Sequence, residues 1–267
     1  MDEVEKYYDE SAEEEWARLD RHKVEFDITK RYMEEYIEKG AEVLDVGAGP
    51  GRYSIFLAQN GHDVTLLDLS SKNIELAKKK AEEKNVEIKE YIHGNALNLS
   101  QKVSKKFDVV LCMGPMYHLT EESERRKVIK ECIKRLKTGG TLFVSFISAY
   151  APIIDFIKNY PEELEKYKSD FLLDYLKDGT NIVSSDNPGF ITAYFINPAD
   201  IEPFMSNFGL EKELISGIEG ITAQSEEKIN NLSDKAYQEW LDLIYKTSTN
   251  PMTWASCEHF LYIAKKK

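Results

Sequence analysis

The spacing of hydrophobic positions changes twice along this chain. In the first 39 residues, Phe26, Ile28, Tyr32, Met33, Tyr36 and Ile37 recur every three or four positions, and Gly40 follows as a stop, so this segment reads as helix. From Glu42 onward, short apolar runs take over: EVLDVG, DVTLLDL, VEIKEYIHG, FDVVLCMG and GGTLFVSFIS predict five strands. Three helices are predicted between them: RYSIFLAQN, ended by Gly61; SSKNIELAKKKAEEKN, capped by Ser70 or Ser71; and EESERRKVIKECIKRL, with Thr120 as its expected cap. Strands alternating with helical stretches of roughly ten residues or more mark βαβ crossovers and a parallel sheet. Residues 41–148 therefore read as a doubly wound α/β core.

After Ser148 the alternation lapses into a segment rich in aromatics, Tyr150, Phe156, Tyr160, Tyr167, Phe171 and Tyr175, which closes near Gly179 and the turn Asn187-Pro188-Gly189. It predicts a helical insertion over residues 149–190. Asn197-Pro198-Ala199-Asp200 supplies a cap, a proline at the first helical position and an acid in the first turn of a helix that Gly209 ends. LEKELISG and HFLYIAKK predict two closing strands, separated by a second insertion whose helix carries Tyr237, Trp240, Leu241 and Ile244. The expected organisation is one domain over residues 1–267: a helical segment 1–40, the core 41–148, the helical insertion 149–190, and a sheet-completing segment 191–267.

Composition narrows the function classes. A chain of 267 residues that is 42% hydrophobic buries a substantial core. No apolar run approaches the roughly 18 residues of a membrane span, and MDEVEKYYDE lacks the basic and apolar parts of a signal peptide, so the expected location is the cytosol, with no membrane partner. Cys112, Cys132 and Cys257 form no C-x-x-C pair; they read as small buried residues, with neither a disulfide framework nor a zinc site. The net charge of −12 repels phosphate backbones and anionic lipid, so no nucleic-acid partner is expected. That charge is uneven: −7 over residues 1–40, +3 over 41–147 and −8 over 148–267.

The strongest chemical signal is Asp45-Val46-Gly47-Ala48-Gly49-Pro50-Gly51, where the first strand meets the first core helix. Glycines there let a ligand approach main-chain N–H groups at a helix N-terminus. The spacing is G-x-G-x-G with an acid two residues before the first glycine, not the G-x-G-x-x-G of dinucleotide enzymes, which disfavours a nicotinamide oxidoreductase. Asp68 ends the second strand, seventeen residues after Gly51, where a carboxylate accepts both hydroxyls of an adenosine ribose.

VLDVGAGPG, the acid in LLD, Asn95-Ala96, FDVVLCMGPMYHL and the GGTLFV stretch together resemble the class I S-adenosylmethionine-dependent methyltransferases, over residues 42–148. The resemblance implies a Rossmann-like, mostly parallel seven-stranded sheet with an antiparallel final strand, and S-adenosylmethionine as cofactor. It further implies that Asp45 and Gly47 lie against the methionine part, with Ala48, Gly49 and Gly51 completing the loop. Asp68, followed by Leu69, would hold the ribose, Asn95 and Ala96 would flank the adenine, and Met113 and Gly114 would run beside the sulfonium. Many members carry Asp where this chain has Asn95. Members that methylate exocyclic amines of nucleic-acid bases commonly carry Asp or Asn before Pro-Pro-Tyr after the fourth strand, and Met113-Gly114-Pro115-Met116-Tyr117 departs from that pattern.

Tyr117 and His118 are the acid–base candidates, since a histidine there accepts a proton near neutral pH. Packing beneath the cofactor is the competing role. Arg52 and Tyr53 read as a solvated first-turn residue and a packing residue. Tyr7, Tyr8 and Trp16, together with residues 149–190, are expected to cover the acceptor site. The function expected is methyl transfer to a small-molecule acceptor; the competing readings are a tRNA or protein methyltransferase and a non-catalytic S-adenosylmethionine-binding protein.

Overall fold

In the computed structural model, which describes residues 2–165, 168–181 and 192–267, the apolar runs become a seven-stranded sheet. Strands β1 (Glu42–Val46), β2 (Asp63–Asp68), β3 (Glu90–His93), β4 (Phe107–Cys112) and β5 (Leu136–Ile147) pair in parallel. A two-stranded ribbon follows, β6 (Thr180–Asn181) with β7 (Ala193–Tyr194). β8 (Leu210–Gly217) and β9 (His259–Lys266) complete the large sheet in the order β3-β2-β1-β4-β5-β9-β8. β9 runs antiparallel to both of its neighbours, so the other six strands share one direction.

Successive strand residues point to opposite faces, and both faces are covered, which is why the strands read as unbroken apolar runs. Val43, Val64, Leu66, Val109, Leu111, Phe143, Leu261 and Ile263 face one layer of helices: α3 (Lys23–Tyr36), α4 (Arg52–Gln59), α5 (Ser71–Glu83) and, late in the chain, α12 (Asp234–Thr247). Leu44, Val46, Val110, Cys112, Leu142, Val144, Phe260 and Tyr262 face the other layer, α6 (Leu99–Lys102), α7 (Glu122–Arg135) and α10 (Ile201–Met205). The remaining helices are α1 (Asp2–Glu10) and α2 (Ala12–Arg21) at the start, α8 (Ala151–Asn159) and α9 (Asp170–Lys177) after β5, and the short α11 (Glu226–Asn230). All three cysteines are buried and free.

Several local expectations change. The first 39 residues form three helices, because the chain turns at Ser11 and again at His22, and only α3 carries the periodic apolar face into the core. Ser70 caps α5 by accepting from the Asn73 N–H, as its position suggests. Thr120 does not cap α7: Glu121 occupies that position without a side-chain hydrogen bond, and the Thr120 carbonyl instead accepts from Arg125. Tyr167 and the turn at 187–189 lie outside the described residues.

Gly51 precedes α4 with a φ of +84°, and a Cβ there would stand 3.1 Å from Leu66 Cδ1 and 3.2 Å from the Ala77 Cβ. Both the left-handed backbone and the close packing of α4 and α5 on β2 require glycine. Gly51→Ala is expected to cost about 1–3 kcal/mol, read as a lower urea midpoint at unchanged slope; an unchanged midpoint would show that the neighbours yield freely.

Candidate active site

The strand order reverses between β1 and β4, and in open α/β sheets ligands bind beyond the carboxyl ends of the strands at such a point. A cleft lies there. Asp45, Gly47, Ala48, Gly49, Asp68, Leu69, Asn95, Ala96, Met113, Gly114, Tyr117 and His118 all line it, and Gly51 stands outside with its packing role. The loops after β1 and β4 nearly touch: a Cβ on Gly47 would meet Pro115 Cδ at 2.7 Å, and one on Gly114 would meet the Gly47 carbonyl oxygen at 2.6 Å. Backbone therefore forms this part of the wall.

Two carboxylates sit at the strand ends. Asp68, 6% exposed, accepts from the Gly49 N–H at 2.7 Å on one oxygen, and from the Ser70 N–H at 2.8 Å and Asn73 Nδ2 at 3.2 Å on the other. Burial raises its pKa against the pull of those donors. Asp45, 2% exposed, accepts from the Ser54 hydroxyl at 2.7 Å; burial, together with the charge of Asp68, pushes its pKa up to about 7. Neither acid has a basic partner among the described residues, so a ligand bringing positive charge and hydroxyl donors relieves both. The Asn95 side chain accepts from the Leu97 N–H at 2.8 Å and so fixes the turn that presents Ala96.

The cover comes from the N-terminus. Val4, Tyr8, Glu15, Arg18 and Leu19 of α1 and α2 line the cleft, whereas no described residue of 149–190 does. Tyr8 shares a hydrogen bond of 2.7 Å with His118 Nε2, their rings edge to face at 5.2 Å. Burial lowers His118 to about 3 and raises Tyr117, so both are neutral at neutral pH. Asp9 of α1 accepts from the Ser70 hydroxyl at 2.6 Å and from the Lys72 N–H at 3.1 Å, which pins the cover to the N-terminus of α5. Arg52 is not solvated: it donates to the Trp16 carbonyl and Asp20, and its guanidinium lies 4.8 Å from both the Trp16 and Phe26 rings.

Arg18 belongs both to the cleft wall and to a buried ion network. It donates twice to Glu25, at 2.7 and 3.1 Å, and once to Glu15 at 3.2 Å. Glu25 stands 3.7 Å from His259 Nδ1, which bonds Glu219 at 2.5 Å. Burial works against each charge, but Arg18 and His259 hold Glu25 down to about 2, while Glu25 and Glu219 hold His259 up to about 9. Glu25, Glu219 and His259 have metal-ligand spacing, but the guanidinium of Arg18 already occupies both Glu25 oxygens. The network ties the junction of α2 and α3 to the final strand.

The profile of the methyltransferase domain family matches residues 43–140. A ubiquinone biosynthesis O-methyltransferase of Coxiella burnetii (strain Dugway 5J108-111) is 30% identical over 193 residues, 72% of this chain and 73% of that protein. This chain belongs to the class I S-adenosylmethionine-dependent methyltransferases. The protein of the same name from Xanthomonas axonopodis pv. citri (strain 306) is 28% identical over 67% of this methyltransferase and 66% of its own length. In fold, the methyltransferase is similar to the magnesium protoporphyrin IX methyltransferase of Synechocystis PCC 6803 solved with bound SAH, at a TM-score of 0.58 and 17% identity over 99% of this chain and 98% of that one. It is also similar to a SAM-dependent methyltransferase of Methanosarcina mazei, at a TM-score of 0.57 and 18% identity over 88% and 96%. The enzyme uses S-adenosylmethionine and transfers its methyl group to a small-molecule acceptor.

The ion network has a pH signature. A histidine whose folded pKa is about 9, above an unfolded value of about 6.5, stabilises the fold fully below the unfolded value and loses that contribution as the pH rises through 9. His259→Gln is expected to cost about 3 kcal/mol at pH 6, the loss of one partner in a buried pair, with the gap to wild type closing above pH 9. Denaturant titrations at both pH values check this, and a gap constant with pH would refute a charged His259.

Proposed function

We propose that this methyltransferase acts on an oxygen of a small hydroxylated acceptor held beneath α1 and α2. The observation that carries the reading is the Tyr8–His118 hydrogen bond, which places a neutral imidazole on the cleft wall under the cover. The curated relatives named as O-methyltransferases support oxygen as the attacking atom.

When bound, S-adenosylmethionine supplies an electrophilic methyl carbon on a sulfonium. In this reading Asp45 and the Gly47–Gly49 backbone hold the methionine part, Asp68 and Leu69 the ribose, Asn95 and Ala96 the adenine, and Met113 and Gly114 flank the sulfonium. The cleft aligns the acceptor and excludes water, which is worth on the order of 7 to 11 kcal/mol. As the C–O bond forms, the acceptor's hydroxyl proton passes to the Tyr8 hydroxyl, whose own proton moves to His118 Nε2. A weak base suffices late in that step, because an oxygen gaining a methyl group becomes strongly acidic. Tyr8 fixes the ring and ties proton transfer to a seated cover.

The charge of −12 and the absence of Pro-Pro-Tyr after β4 argue against nucleic acid as acceptor. No helix among the described residues is long and apolar enough to cross a membrane, and we place the enzyme in the cytosol. After the insertion, β7 pairs with β6 and packs on the turn Pro115–His118.

Asp68→Ala is expected to weaken S-adenosylhomocysteine binding by about 1.5–3 kcal/mol in titration calorimetry, the loss of a charged acceptor. Unchanged affinity would remove Asp68 from the site. For His118→Ala, turnover of a hydroxylated acceptor, followed as S-adenosylhomocysteine release, is expected to fall ~10²-fold with cofactor affinity intact. A methylated nitrogen or carbon in the product, or full activity without the imidazole, would overturn the oxygen reading.

A further inference from the structure

Tyr53 stands on the first turn of α4, directly after the glycine loop, and lines the cleft in the neighbourhood of Arg18 and Tyr117. Its ring packs against Phe26, centroids 5.2 Å apart, and its hydroxyl oxygen is sealed from solvent without a hydrogen-bond partner among the described residues. Thr29 of α3 lies nearby but completes no hydrogen bond of good geometry to it. Buried hydroxyls are rarely left unpaired unless a ligand, water or functional role explains them. The surrounding groups are already engaged: the Tyr8 hydroxyl bonds His118, and all three Arg18 nitrogens donate to Glu15 and Glu25.

We propose that Tyr53 is a specificity-determining residue, whose hydroxyl bonds a second, uncharged oxygen of the acceptor that the reaction leaves unmethylated. The proposal rests on the O-methyl-transfer reading. The charge around Tyr53 sets the chemical class. An anionic group placed there meets the carboxylate of Glu25, with Arg18 already paired to it. A neutral hydroxyl, carbonyl or ether oxygen meets no such repulsion and completes the Tyr53 hydrogen bond. The acceptor is therefore a small compound with one reacting hydroxyl and at least one further neutral oxygen. A site built to bond such an oxygen discriminates strongly against the analogue that lacks it, because the buried partner is then left unpaired.

The test compares wild type with Tyr53→Phe, using S-adenosylmethionine with phenol and with the 1,2-, 1,3- and 1,4-benzenediols, and reading S-adenosylhomocysteine release. Wild type is expected to prefer one benzenediol over phenol in kcat/KM. Tyr53→Phe is expected to shrink that preference ~10-fold or more, mainly through KM, while the thermal midpoint stays level or rises and S-adenosylhomocysteine affinity is kept. Equal losses on phenol and the preferred diol would overturn the proposal, as would a wild type indifferent to the second oxygen. A lower thermal midpoint would do the same, since it would mean the hydroxyl already has a structural partner. A wild type that binds S-adenosylhomocysteine but turns over none of the four probes would instead remove the O-methylation reading, and the Tyr53 role with it.

Discussion

The carboxylate of Asp68 joins the parts of this enzyme that must stay in register. One oxygen fixes the Gly49 N–H of the glycine loop; the other fixes the Ser70 N–H and Asn73 at the start of α5. Ser70 in turn donates to Asp9, so the same corner carries the cover. Such an acid is costly to bury, and Asp45 beside it is costlier, with one hydroxyl donor and a like charge nearby. The site thus holds unfavourable electrostatics that a ligand with cationic and hydroxyl groups relieves. The two acids sit where β1 and β2 end, and the parallel sheet holds them there against their mutual repulsion.

The N-terminal cover is held at three places by different means. Asp9 pins α1 to α5, Arg52 clasps α2 through Asp20 and the Trp16 ring, and the network of Arg18, Glu25, His259 and Glu219 locks the α2–α3 junction to β9. Buried ion networks of this kind add little net stability over an apolar packing, but removing one member is expensive. That asymmetry suits a cover that must adopt one arrangement: alternative dockings of α2 take the guanidinium of Arg18 away from the buried Glu25.

The core was legible because its signals are local. A glycine loop between an apolar strand and a helix, and an acid at the end of the next strand, carry their spacing in the sequence, and the sheet order follows from the βαβ rhythm. The cover was legible only in part. Tyr7, Tyr8 and Trp16 stand out as aromatics near the chain's start, but Glu15 and Arg18 sit in an acidic helical run that reads as a solvated face, and their partners Glu25, Glu219 and His259 are spread over more than two hundred residues. Arg52 reads as solvated for the same reason, because the helix that covers it is distant in sequence. Thr120 failed as a cap because Arg125 bends back onto the carbonyls of Leu119 and Thr120, and so sets the start of α7 one residue later.

The two halves of the cleft have different origins in the chain. The carboxylates, the glycine loop and the Met113-Gly114 wall all fall within residues 43–140, the span matched by the methyltransferase domain profile. Tyr8, Glu15, Arg18 and Leu19 lie before it, on helices that pack against α5 and α3. Changes in those helices alter the shape and charge over His118 and Tyr53 while leaving the strand ends and their carboxylates in place. On the proposed reading, cofactor chemistry is anchored at the strand ends, and acceptor choice is shared between Tyr53 on α4 and the separate layer folded over it. The Tyr8–His118 hydrogen bond is the contact through which that layer touches the proposed proton acceptor.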